Sequence, residues 1–265
     1  MQLKEKVAIV TGGGTGIGRA CSLSLARQGC KVVVNYSRSQ DEADATVQEI
    51  VAAGGQARAF KADVSDDEAC RAMAAEAVNA FGRLDVLVNS AGTTKFIPHN
   101  SLDQIEIEDW DRIFAVNVRG PFQMARAVKS AMLNGDGGII VNVSSIAAYL
   151  GSGSSIPYCA SKAALNNLTI ALARALAPKI RVVGVAPGFV TGRWLETGLG
   201  RAYERTKRSF EDSLPLGQVC TPESVADAVM GLVTGSDLVT GQTLVCDGGM
   251  MIAKWNAALR SSEPS

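Results

Sequence analysis

Short apolar runs alternate with longer amphipathic stretches along nearly the whole chain. Residues 7–10, 31–35, 57–62, 84–88, 138–143, 180–185 and 242–245 read as strands. These runs are apolar without clean alternation, as expected of parallel strands covered by helices on both faces. Between them the periodicity turns helical: over about 16–28, over 41–53 with a stop at Gly54–Gly55, and over 66–81 with Ser65 as N-cap. Further helices are predicted over 108–132, from Tyr158 to about 177, and over 222–233. The pattern predicts an α/β fold: a single-domain, Rossmann-type doubly wound parallel sheet of about seven strands with helices on both faces. One domain is expected over residues 1–255, with a polar C-terminal tail at 256–265.

Composition removes several function classes. The 265 residues are 47% hydrophobic and 20% charged, with a formal net charge of zero, so no basic excess points to nucleic acid. No apolar run approaches the roughly 20 residues of a membrane span, and the N-terminus runs into the first strand without a signal-peptide pattern. Six scattered cysteines without a CxxC pair suit reduced thiols, so a cytoplasmic protein is expected. The single histidine, His99, leaves no His-based metal cluster or Ser-His-Asp triad and reads as a solvated loop residue, so no metal site is expected.

Three stretches carry candidate chemistry. Thr11-Gly12-Gly13-Gly14-Thr15-Gly16-Ile17-Gly18 links the first strand to the first helix. Gly12 can turn sharply there, and Gly16 and Gly18 let backbone approach a pyrophosphate held at the helix N-terminus. After the second strand stands Asn35-Tyr36-Ser37-Arg38-Ser39, with no acid to bind the ribose 2′-hydroxyl of NAD. Arg38 can pair a 2′-phosphate, which favours NADP(H) and leaves NAD(H) open, the bland alternative being a solvated loop charge. Finally, Tyr158 and Lys162 stand four apart on a predicted helix, with Ser145 thirteen residues before Tyr158. A nearby cation lowers a phenol's pKa from its ordinary value near ~10, making a proton donor for a substrate carbonyl, and Ser145 supplies a second hydrogen bond to that oxygen.

Together these residues resemble a classical short-chain dehydrogenase/reductase, and its β-ketoacyl-carrier-protein reductase-like branch in particular. The resemblance rests on Thr11-Gly12-x3-Gly16-x-Gly18, Asp63-Val64, Asn89-Ser90-Ala91-Gly92, Asn117, Ser145, Tyr158-x3-Lys162 and Pro187-Gly188, and on the Asn35–Ser39 and Asp247-Gly248-Gly249 stretches. It implies Tyr158 as general acid/base, Lys162 as the residue that lowers its pKa and binds the nicotinamide ribose, and Ser145 as the group that orients the carbonyl. It implies that Asn117 holds a water continuing a proton path from Lys162. Around the cofactor it implies Gly12, Thr15, Gly16, Ile17 and Gly18 at the phosphates, and Asn35 to Arg38 at the adenosine ribose. Asp63 and Val64 would meet the adenine, Asn89, Ala91 and Gly92 would border the cofactor, and Pro187, Gly188, Val190 and Thr191 would face the nicotinamide. Ser90 stands where the family commonly has a second Asn. Ser144 is the alternative to Ser145, Asn117 could simply satisfy backbone, and Asp63 could be a turn residue.

Two variable segments should shape the substrate site: 93–105, and a lid over 190–215 with Gly198 and Gly200 as hinges. Trp194 and Ile156 join Ser145 and Tyr158 as expected substrate contacts. The expected reaction is hydride transfer between NADP(H) and a small-molecule carbonyl or alcohol, with a carrier-linked 3-oxoacyl group as one substrate and sugars, steroids or small ketones as alternatives. A non-catalytic dinucleotide sensor is the alternative of another class. Arg126, Lys129 and Lys179 are candidates for docking an acidic carrier. The resemblance also implies a homotetramer built on the helices near 108–132 and 158–177 and the last strand's edge.

Overall fold

A computed structural model of the chain describes residues 1–253; the expected polar tail at 256–265 lies outside the described residues. Seven strands form one parallel sheet in the order β3-β2-β1-β4-β5-β6-β7. They are β1 (Val7–Thr11), β2 (Lys31–Tyr36), β3 (Ala57–Lys61), β4 (Val86–Asn89), β5 (Gly138–Val143), β6 (Ile180–Pro187) and β7 (Thr243–Cys246). The helices are α1 (Gly16–Arg27), α2 (Gln40–Ala52), α3 (Asp67–Phe81), α4 (Ile107–Phe114), α5 (Gly120–Asn134), α6 (Ala147–Leu150), α7 (Ile156–Leu176), α8 (Arg193–Leu199), α9 (Tyr203–Ser213) and α10 (Pro222–Thr234).

Strand residues divide by parity between two cores. Ala8, Val10, Val32, Val34, Val86 and Val88 pack with α1, α2 and α10. Val7, Ile9, Val33, Leu87 and Ile140 pack with α3, α5 and α7. Both faces are apolar, so the strand sequences cannot alternate. The chain leaves β1 toward β2 and β3 on one side, then returns to β4 on the other. Loops after β1 and β4 therefore diverge and open a crevice at the carboxyl ends of the strands.

Two predicted helix boundaries change. The N-cap of α3 is Asp66, whose carboxylate accepts from Glu68 N at 2.9 Å and Ala69 N at 3.2 Å. Ser65 instead donates its hydroxyl to Asp63 at 2.6 Å. The helix expected over 108–132 is interrupted by a π-helical turn at Ala115–Arg119. Pro121, in the first turn of α5, has no N–H to give the carbonyl four residues back, which belongs to Asn117. A wider turn relieves the clash there and sets Asn117 apart from a regular helix.

At the opposite end of the sheet from the crevice, Asp85 is 1% exposed. It accepts from Val7 N at 3.0 Å and from Arg83 at 2.8 and 2.6 Å, and Lys6 lies 3.3 Å away. Asp85→Ala would leave these donors facing an empty buried position. Removing one partner of such a cluster costs about 3 kcal/mol or more. Chemical denaturation should show that loss, with turnover per folded molecule unchanged.

Candidate active site

The crevice is a cleft of 1080 Å³ running from Gly12 and Arg38 at one end to Phe96, Leu199 and Met250 at the other. The first helix turn closes against β1 because the chain is glycine where it must be. Gly12 has φ +62°, and a Cβ on Gly18 would overlap the Gly12 carbonyl. Two buried side chains brace this turn. Asn35 accepts from Gly12 N at 3.2 Å and donates to Ala62 O at 3.0 Å. Thr11 Oγ1 accepts from Ser90 N and Ala91 N, each at 3.0 Å. Gly12, Thr15 and Ile17 line the cleft, as do Tyr36, Ser37, Arg38, Asp63, Val64, Ala91 and Gly92.

Arg38 is exposed and makes no ion pair among the described residues. Asp63, by contrast, is committed: it accepts from Ser65 N at 2.9 Å and from both Arg112 terminal nitrogens at 3.2 Å. Burial raises the Asp63 pKa, but Ser65 and Arg112 outweigh it and hold the carboxyl below its usual range. Arg112 also lines the cleft, and sequence reading missed it because α4 is remote from the glycine turn in the chain.

At the centre, α7 presents Tyr158 and Lys162 on one face, and β5 delivers Ser144 and Ser145 beside them. Tyr158 and Ser145 both line the cleft, and Ser145 Oγ accepts from Ala147 N at 3.1 Å. Ser144 is 4% exposed and donates to Lys162 O at 3.3 Å, so its hydroxyl is spent on holding α7. Lys162 is 5% exposed, and its ammonium donates to Val143 O at 2.8 Å. It lies 5.6 Å from the centre of the Tyr158 ring. Burial pushes Lys162 down to about 8. Burial also pushes Tyr158 up to about 12, against the opposing Ser145 hydrogen bond. In the protein alone, burial is the first cause of both shifts.

Asn117 is fully buried and outside the cleft lining. Its carboxamide accepts from Thr93 N at 2.8 Å and donates to Thr93 O and Ser161 Oγ, both at 3.0 Å. Ser161 in turn donates to Tyr158 O at 2.7 Å, so the π turn grips the helix that carries the tyrosine. Asn89 also misses the cleft. It donates to Asn142 at 2.9 Å, and Asn142 donates to Thr169 at 2.9 Å, tying β4 and β5 to α7 beneath the site. Gly16 and Gly18 shape the turn without lining the cleft. Ile156 does not line it either. Residues two apart on a helix point to nearly opposite sides, so Ile156 cannot share the face of Tyr158. Pro187, Gly188, Val190, Thr191 and Trp194 do line it, and the Trp194 ring stands 6.3 Å from that of Tyr158.

The lid region folds as α8 and α9. Gly192 (φ 122°) and Gly200 (φ 51°) stand at the two ends of α8, whereas Gly198, expected as a hinge, is helical within it. Phe189, which sequence reading missed, packs on Tyr203 at 5.9 Å and on Phe210 at 5.3 Å. No helix among the described residues is long and apolar enough to cross a membrane, and none of their side chains form a metal-ligating group of three.

Residues 6–197 match the family described as short chain dehydrogenase. The chain is 36% identical to a 3-oxoacyl-[acyl-carrier-protein] reductase of Synechocystis, over 94% of this chain and 98% of that protein. It is 36% identical to a protein of the same name from Staphylococcus aureus, over 92% of this chain and 98% of the other. A crystal structure of a dehydrogenase/reductase from Sinorhizobium meliloti superposes with a TM-score of 0.84 at 37% identity, covering 94% of this chain and 96% of that one. With the family match over residues 6–197 and relatives of 36–37% identity along nearly the whole chain, the chain is an oxidoreductase of the short-chain dehydrogenase family.

Proposed function

We propose that this protein is an NADPH-dependent ketone reductase that acts on 3-oxoacyl substrates, with Tyr158 as the proton donor. The observation that carries the reading is the meeting of Ser145, Tyr158 and the buried Lys162 in one cleft, with the Lys162 nitrogen 5.6 Å from the centre of the Tyr158 ring. When bound, NADPH supplies the hydride that reduces the carbonyl carbon. The residues present fit that cofactor: a glycine turn a side chain would fill, and an unpaired Arg38 at the end of β2. Tyr158 and Ser145 hold the carbonyl oxygen, and Tyr158 gives it a proton. A phenol pushed up to about 12 is fully protonated at neutral pH, which suits the reducing direction. Lys162 lies at the edge of its charged range and binds ribose hydroxyls better as an ammonium. Asn117 sits in the π turn with its carboxamide reaching Thr93 and Ser161 of the helix that carries Tyr158 and Lys162, which supports a place for it beside the proton path.

The acyl assignment rests on two relatives named as 3-oxoacyl reductases over more than nine-tenths of this chain. Docking of an acidic carrier would centre on Lys129. Arg126 is paired with Asp67 at 2.6 Å and packs over Phe122, and Lys179 donates to Leu133 O at 3.2 Å. Exposed Ile107, Phe122 and Ile170 on the outer helices, and Leu244 on the edge strand, support a homotetramer. Six free thiols support a cytoplasmic setting.

Tyr158→Phe should lower kcat with NADPH and a 3-oxoacyl ester by at least about a hundredfold, while NADPH binding measured by fluorescence stays near the parent value. Arg38→Ala should raise the KM for NADPH about tenfold and leave that for NADH nearly unchanged. A third outcome concerns stability. In the cofactor-free protein, the folded state releases the Lys162 proton near pH 8, while the unfolded chain keeps it to about 10.5. Unfolded protein then binds more protons in that window, so Lys162 makes stability rise with pH there. Relative to Lys162→Met, the parent should gain about 3 kcal/mol across it in urea denaturation. Above about pH 10 the raised Tyr158 acts oppositely, so the comparison is best read between pH 8 and 10.

A further inference from the structure

We propose that Phe96 and Gly198 form a latch that determines which acyl chains the site accepts, an inference that rests on the ketone-reductase reading for its substrate class. The two residues lie on different segments lining the substrate end of the cleft. The Phe96 ring sits directly on the glycine, and a Cβ at Gly198 would overlap three of its atoms. Gly198 lies inside α8, where alanine is intrinsically the better helix former. A glycine at that place is explained by the aromatic edge against it.

The two sides of the contact differ in rigidity. The Phe96 loop is tied down on both flanks: Thr93 N donates to Asn117 at 2.8 Å, and Ile97 N donates to Ser154 O at 2.8 Å. Thr94 and Ser154 hydroxyls meet at 2.6 Å, and Lys95 donates to Asp109 at 2.7 Å. α8, by contrast, is bounded at its two ends by the positive-φ glycines Gly192 and Gly200. Its start is tethered across the cleft by Arg193, which donates to Glu42 at 2.7 Å. Its far end has the Phe96 ring. α8 is thus a strap over the cleft, moored at the dinucleotide end by an ion pair and at the substrate end by a ring on a glycine. With the latch shut, Phe96, Trp194 and Leu199 bound a compact apolar chamber next to Tyr158. A short 3-oxoacyl group fits under the closed strap, and a long one must displace the ring.

Two readouts test this. In native-state trypsin digestion, which cuts after Arg201, Arg205 and Lys207 when the lid opens, Gly198→Ala should be cleaved about tenfold faster than the parent. In a Phe96→Ala background the same change should add nothing. If instead Gly198→Ala slows cleavage, as its helix propensity alone dictates, or if the two changes act additively, the latch is refuted. For specificity, Phe96→Ala and the milder Phe96→Leu should shift the kcat/KM ratio of ten-carbon over four-carbon 3-oxoacyl-N-acetylcysteamine thioesters upward by about tenfold or more. An unchanged ratio in both variants overturns the specificity claim. A parent enzyme that reduces neither thioester with NADPH would contradict the function reading instead, and the digestion result would still decide the latch.

Discussion

One buried ammonium organises the site. Lys162 is almost wholly removed from water and has one protein hydrogen bond, to the carbonyl of Val143 at the end of β5. A lone buried cation is costly, and the protein responds by loosening its hold on the proton rather than by supplying an acid. Much of the surrounding structure serves to hold α7 where this can happen. Ser144 fixes the Lys162 backbone, Asn117 reaches Ser161, and the Asn89–Asn142–Thr169 chain fastens the same helix to the two central strands. These groups are buried and hydrogen-bonded to one another, the condition under which an interior network rigidifies a fold.

The proton chemistry follows from a mismatch that the protein alone does not resolve. Tyr158 is held too basic and Lys162 too acidic for an ion pair between them, since both shifts come from burial. A site of this kind suits a polar ligand that hydrogen-bonds the ammonium. On the proposed reading, that ligand's phosphates would lie at the start of α1 and its reactive end under α8, at one crevice between diverging loops.

Much of this was legible in the chain. Strands apolar on both faces, a glycine turn in strand–helix context and the Tyr158–Lys162 spacing are local signals, and local signals survive without coordinates. What failed was competition or distance. Ser65 and Asp66 are both good caps, and only geometry shows Asp66 accepting the helix amides. Asn89 reads as a cofactor contact, yet it misses the cleft and its carboxamide ties neighbouring strands, a choice invisible in one dimension. The π turn had a readable cause, Pro121 four residues after Asn117, which a plain helical periodicity overrode. Ile156 was placed by proximity in sequence, where helical geometry turns it away. Arg112, Phe189 and the meeting of Phe96 with Gly198 join segments far apart in the chain, so no local pattern encodes them.

Burial is the dominant influence on the Tyr158 phenol in the cofactor-free protein. Ultraviolet titration of tyrosinate in the cofactor-free protein, taken as the parent minus the Tyr158→Phe variant, isolates that one group. The account predicts a midpoint near 12, moving down when oxidised cofactor is added. A Tyr158 that titrates at or below its ordinary value near ~10 in the empty protein would contradict it.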